Sequence, residues 1–185
     1  MSRRQRGMLL FELVIVIGLG AVMLTAGVHY GRQWQQVMQA RQWAMQMQAA
    51  LGLLRRRALH EGRDWLLCAS TDGQHCESVW RGDWLVFADL NQDGIRQAGE
   101  PTMSFQPMIP TGWHVVWKPF RAVPWMQWLA GGDAAFSNGT LTLCPPTPQD
   151  AALRQLVVSK SGRVRVVSPR QEGTLSSARA ACGWP

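Results

Sequence analysis

Two arginines separated by one residue, in Gly162-Arg163-Val164-Arg165, are the densest piece of potential chemistry in this sequence. Guanidinium forks match phosphate oxygens two at a time, so such a pair is suited to clamping a polyanion. The surrounding tail adds Arg154, Lys160, Arg170 and Arg179, and Glu172 is the sole acid beyond Asp150. Ser161-Gly162 reads as a tight turn that puts Lys160 and Arg163 at a hairpin tip, and strand alternation puts Arg165 on the same side as Arg163. The formal net charge of +7 points the same way, toward polyanionic partners. A solvated charged face is the competing reading of the same residues.

A second oxygen-rich set is Asp89-Leu-Asn91-Gln-Asp93-Gly94 followed by Glu100. Asp89, Asn91, Asp93, Gly94 and Glu100 fall at positions 1, 3, 5, 6 and 12 of a calcium-loop spacing. Arg96 stands where such loops carry an apolar residue, and a strand precedes the segment. Asp, Asn and Gly also build turns without any metal. The chain is therefore read as carrying no cofactor, with calcium at Asp89, Asn91, Asp93 and Glu100 as the alternative. Catalysis finds no support: His29, His60, His75 and His114 are dispersed, and no Gly-x-Ser-x-Gly nucleophile motif occurs.

Glu12 is the third chemically active group, a lone carboxylate in a run otherwise uncharged from Met8 to Val28. That run makes a helix of roughly 31 Å, the thickness of a bilayer's hydrocarbon core. Arg3, Arg4 and Arg6 precede it, which predicts a cytoplasmic N-terminus and an extracytoplasmic remainder. A charged residue at mid-span costs about 2.5 to 3.5 kcal/mol on insertion scales, so Glu12 calls for a partner.

The elements that carry these groups follow from periodicity. Val37, Ala40, Ala44, Met47, Leu51, Leu54 and Ala58 recur at spacings of three and four and form one apolar helical stripe, extending the helix to about His60. After Gly62 short apolar runs alternate with turn signals: Trp65 to Ala69, Trp84 to Ala88, Met103 to Gln106, His114 to Trp117, Leu141 to Cys144, Leu156 to Ser159 and Val164 to Ser168. This predicts an all-β head, with the ten tryptophans serving its core. The four cysteines lie on the extracytoplasmic side, where disulfides persist. They allow three pairings, and Cys68 with Cys76 and Cys144 with Cys182 are favoured. The first pair brackets Asp72-Gly73 and the second ties the tail to a strand. Loop-closure entropy gives these bridges about 2.6 and about 3.9 kcal/mol as upper values.

Gly7, Met8 and Glu12, the last at the fifth position of the segment that begins with Met8, resemble the processing signature of type IV pilins and pseudopilins. The resemblance implies cleavage after Gly7 by a prepilin peptidase, methylation of Met8, and a Glu12 that faces the terminal amine of a neighbouring subunit. His29 stands where many major pilins carry proline, a departure from the pattern. In the head, Leu67-Cys68-Ala69-Ser70 with Asp72-Gly73 and Cys76, Gly82-Asp83-Trp84-Leu85-Val86-Phe87 with Asp89, Leu143-Cys144 and Val157 to Arg165 resemble the FimT and GspH group of minor pilins. That group implies an α+β type IV pilin fold, a long N-terminal helix packed on an antiparallel β head. The organisation is then a leader over residues 1–7, a membrane or filament-core helix over 8–28, its amphipathic continuation over 29–62 and the head over 63–185.

The Gly-Arg-Val-Arg segment resembles the Gly-Arg-x-Arg motif associated with DNA binding in FimT-like pilins that serve natural transformation. By that resemblance Lys160, Arg163, Arg165, Arg170 and Arg179 would bind the phosphate backbone of double-stranded DNA. The other partners implied are major and minor pilins. The location implied is the inner membrane, with a periplasmic head, and then the extracellular pilus. The alternative is a structural subunit that initiates or caps a pilus, or a type II secretion pseudopilus, without touching DNA.

Overall fold

The long helix forms as α1, Arg3–Glu61. The structure, a computed structural model, describes residues 3–81, 83–134, 136–170 and 173–185, without the side chains of residues 3–10, 26 and 29. Gly7 and Met8 thus lie on α1 with their backbone alone described, and Gln171 and Glu172 fall outside the described residues. Two compact units divide the chain, Met1–Gln36 and Val37–Pro185. In the first, the side chains from Phe11 to Leu24 are almost all exposed, Glu12 included. This helix is long and apolar enough to cross a membrane. Apolar surface on this scale calls for lipid or another protein as cover.

In the second unit the stripe read from the sequence is the buried face of α1. Ala40, Ala44, Met47, Leu51, Leu54 and Ala58 are buried, joined by Trp43, which the spacing did not single out. Full burial of Leu51 and Leu54 contributes about 1.5 to 3 kcal/mol each. They pack against two antiparallel four-stranded sheets. The strands are β1 Trp65–Ala69, β2 Trp84–Ala88, β3 Thr102–Phe105, β4 His114–Pro119, β5 Met126–Trp128, β6 Gly139–Cys144, β7 Arg154–Val158 and β8 Val164–Val167. One sheet has the order β3-β2-β1-β5 and the other β4-β6-β7-β8.

A single core joins α1 to both sheets through Trp65, Leu67, Val86, Met126 and Trp128 on one side and Val115, Trp117, Leu141, Leu143 and Leu156 on the other. All of its buried members come from the second unit, so this unit carries the means of its own folding. β1 is buried along its whole length because its second face is covered as well: Leu66, Cys68 and Phe87 form a small satellite cluster with Cys76, Leu85 and Trp125. Arg57 stacks 4.4 Å from the Trp65 ring centroid and bonds Glu61 at 2.7 Å, fixing the last turns of α1 over β1.

The head departs from the all-β expectation. A short helix α2, Leu175–Ala181, lies in the tail, and β5 is a strand that the sequence reading passed over. The segment Leu-Ser-Ser-Ala-Arg-Ala-Ala is rich in the best helix former, and the disulfide Cys144–Cys182 pins its end to β6. β5 is three residues long, too short for alternation to stand out, yet Met126 and Trp128 both reach the core. Both favoured disulfides form, Cys68–Cys76 and Cys144–Cys182.

Candidate nucleic-acid interface

The hairpin at Lys160 and Arg163 is built by its turn. Gly162 N–H donates to the Ser159 carbonyl at 2.8 Å and Ser159 N–H to the Arg163 carbonyl at 2.9 Å, while Ser159 Oγ accepts from Arg163 N–H at 3.2 Å. Gly162 has φ of +75°, and a Cβ there would sit 2.0 Å from the Gly132 carbonyl oxygen. Only glycine fits. The inner side of the tip is docked on the segment after β5: Ala134 N–H donates to the Lys160 carbonyl at 2.9 Å and Trp128 Nε1–H to the Gly162 carbonyl at 3.1 Å. Arg55 Nε from α1 reaches the Gly132 carbonyl at 2.8 Å. Lys160 and Arg163 are exposed on the outside of this anchored turn.

Arg165 lies on β8, opposite Val157, with its side chain on the sheet face that points away from α1. Register continues the row across the sheet, Val157 opposite Thr140 and Thr140 opposite Lys118. Lys118 and Arg165 therefore bracket one cross-strand row, about 14 Å apart at three strand spacings. Over this face lies a groove of about 370 Å³, walled on the far side by Thr174, Ser177 and Ala181 around α2. Among the described residues no acid lines it. Cations at the two ends of the row and the Thr140 hydroxyl between them are a donor set for phosphate oxygens.

Three ties fix the α2 wall. Besides the disulfide to β6, Thr174 Oγ1 donates to Gln155 Oε1 at 3.3 Å and Arg179 forks onto Asp150, its Nε 2.8 Å from Oδ1 and its second nitrogen on Oδ2. The Arg179 hydrogen bond, with Arg170 adding charge, holds the Asp150 carboxyl below the usual carboxylate range. Arg179 is thus engaged in holding the tail, whereas Arg170 is exposed. The structure brings Lys160 and Arg163 together at the turn and Arg165 into the groove. Lys118 and Thr140 were missed by sequence reasoning, since strand register alone aligns them with Arg165.

The Asp89 to Glu100 loop spends its oxygens on backbone donors. Asp89 accepts from Asp93 N–H at 3.2 Å and Gly94 N–H at 3.0 Å, Asp93 from Ile95 N–H at 2.8 Å, and Glu100 from Leu90 N–H at 2.7 Å and Gln97 N–H at 2.9 Å. Asn91 donates to Asp93 at 2.8 Å. These are turn-building contacts. Asp72 serves its own loop in the same way, accepting from Gln74 and His75 N–H, each at 2.8 Å, with the His75 ring beside it.

Residues 44–162 match the family described as Type II transport protein GspH. Among solved structures, the minor pseudopilin EpsH from the type 2 secretion system of Vibrio cholerae is 17% identical, with 71% of this chain and 98% of that chain covered at a TM-score of 0.50. The type IV minor pilin FimU of Pseudomonas aeruginosa is 18% identical, with 77% and 93% covered at a TM-score of 0.47. At such identity the likeness to EpsH speaks for the fold alone. No curated protein sequence matches.

Proposed function

The chain belongs to the GspH family of minor pilins and pseudopilins, and from that premise we propose that it is a minor pilin that binds extracellular DNA for uptake in natural transformation. The observation that carries this reading is the anchored turn with exposed Lys160 and Arg163 beside a groove that holds Arg165 and Lys118 and that, among the described residues, no acid lines. Arg170 extends the basic surface. Donors held in place before contact lose little freedom on binding, so a docked hairpin suits a phosphate clamp better than a free tail. Contacts go to the backbone, which makes binding weakly dependent on sequence and steeply dependent on salt.

In this proposal prepilin peptidase cuts between Gly7 and Met8, and Met8 becomes the methylated terminus. Glu12 then pairs with the terminal amine of a neighbouring pilin, so that a costly buried charge meets its opposite. Before assembly the subunit rests in the inner membrane with its head in the periplasm, and afterwards it is carried outward in the pilus. The test is a head of residues 37–185 with Arg163→Glu and Arg165→Glu. Duplex affinity that survives the double reversal, with the fold intact, removes the clamp. The second reading is a structural subunit that initiates or caps a pilus or a type II secretion pseudopilus without touching DNA. It predicts lost pili or blocked secretion on deletion, with no shift of DNA by the head.

A further inference from the structure

On the α1 side of the same sheet, opposite the groove, Arg41, Met45, Arg154, Val166 and Ser168 line a notch of about 220 Å³. Arg154 is only 6% exposed, and its Nη1 donates to the backbone carbonyls of Ala151 at 2.8 Å and Leu153 at 2.6 Å. Among the described residues no carboxylate stands within ion-pair distance of Arg154 or Arg41. A buried guanidinium lacking a counter-charge is an uncompensated cost, and a second guanidinium at its side adds repulsion. Burial, the larger influence, and then the charge of Arg41 both lower the Arg154 pKa from its ordinary value.

We propose that Arg41, Arg154 and Ser168 form a carboxylate-accepting notch that an acidic side chain of a neighbouring pilin subunit fills in the assembled filament. The proposal rests on the reading of the chain as a filament subunit and is independent of DNA binding. Two guanidinium groups and a hydroxyl supply the donors for one carboxylate. Met45 and Val166 supply an apolar wall for the methylene stem that carries it. The volume suits one side chain and not a duplex. Val166 and Arg165 alternate across β8, so nucleic acid seated in the groove does not reach the notch.

The test places a photo-crosslinking amino acid at Met45 of the full chain in piliated cells, with a second probe at Phe11 to report filament assembly. Expected is an adduct from Met45 to a pilin peptide containing Asp or Glu, reduced about tenfold or more by Arg41→Gln and largely kept by Arg41→Lys, with the Phe11 adducts unchanged. Arg41 is exposed on α1, so its replacement spares the fold, and Arg154→Gln serves as a second variant. Met45 adducts indifferent to both substitutions overturn the proposal, as do adducts to nucleic acid or to the chain's own Glu172. A missing Met45 adduct alongside normal Phe11 adducts also overturns it. Failure at both positions removes the filament reading and the notch together.

Discussion

Replacing Gly162 by alanine tests whether the basic turn is held from behind. Gly162 sits at φ +75°, where an L-residue pays about 1 to 2 kcal/mol. The new Cβ would start 2.0 Å from the Gly132 carbonyl oxygen, inside the 3.0 Å that real Cβ contacts respect, so the tip must retreat by about an ångström. That retreat strains three hydrogen bonds, from Ala134 to Lys160, from Trp128 to Gly162 and from Arg55 to Gly132. At a net 0.5 to 1.5 kcal/mol each, the total loss is about 3 to 6 kcal/mol. For a domain of this size it lowers Tm by about 6 to 24 °C. Gly73 supplies the control: its φ is +70°, and nothing lies within 4 Å of the added Cβ. Gly73→Ala should therefore cost only the backbone share, about 1 to 2 kcal/mol. Urea unfolding of residues 37–185, followed by tryptophan fluorescence, measures both. Equal losses for the two variants would refute the docked-tip reasoning.

Three further outcomes follow from the contacts around the groove and the loops. Cys144→Ser with Cys182→Ser should cost up to about 3.9 kcal/mol in urea unfolding and free α2 to hydrogen exchange, while Cys68→Ser with Cys76→Ser should cost up to about 2.6. Stability should fall on acidification in two stages, read as Tm against pH. The His114 pKa is lowered by burial first and then by Arg81, so its share is present above about pH 6.5 and lost below it. Asp150 is lowered mainly by Arg179, so its share, like those of Glu61, Asp72 and Asp93, is lost only as pH falls below the usual carboxylate range, and Arg179→Gln should shrink that stage and leave the His114 stage as it is. Millimolar calcium or chelator should leave the melting curve of the head unchanged, because the Asp89, Asp93 and Glu100 oxygens already accept backbone N–H groups. A rise in Tm with calcium would return the loop to the cation reading.

What the sequence made legible had a period or a local spacing behind it. The stripe from Ala40 to Ala58 needs only the helical repeat, and the strands at Trp65 and Trp84 need only apolar runs between turns. The Ser159 to Arg163 turn was legible because Gly162 marks it. Long-range register was not legible: nothing local says that Lys118 shares a row with Thr140, Val157 and Arg165, since antiparallel pairing joins segments far apart in sequence. The commitment of Arg179 to Asp150 was hidden for the same reason, at a sequence separation of 29. Spacing left Asp89 to Glu100 open between a cation and the loop's own donors, because both are served by the same oxygens, and in the fold those oxygens accept from the loop's backbone N–H groups.

The central claim, a phosphate clamp made by the turn and the groove, is tested most directly by the salt dependence of duplex binding. With Lys118, Lys160, Arg163 and Arg165 each neutralising one phosphate, log Kobs against log salt should fall with a slope of about −3.6 for residues 37–185. Arg163→Gln with Arg165→Gln should bring the slope to about −1.8 at unchanged Tm. A wild-type slope near zero, or one that the double substitution leaves unaltered, would contradict the account.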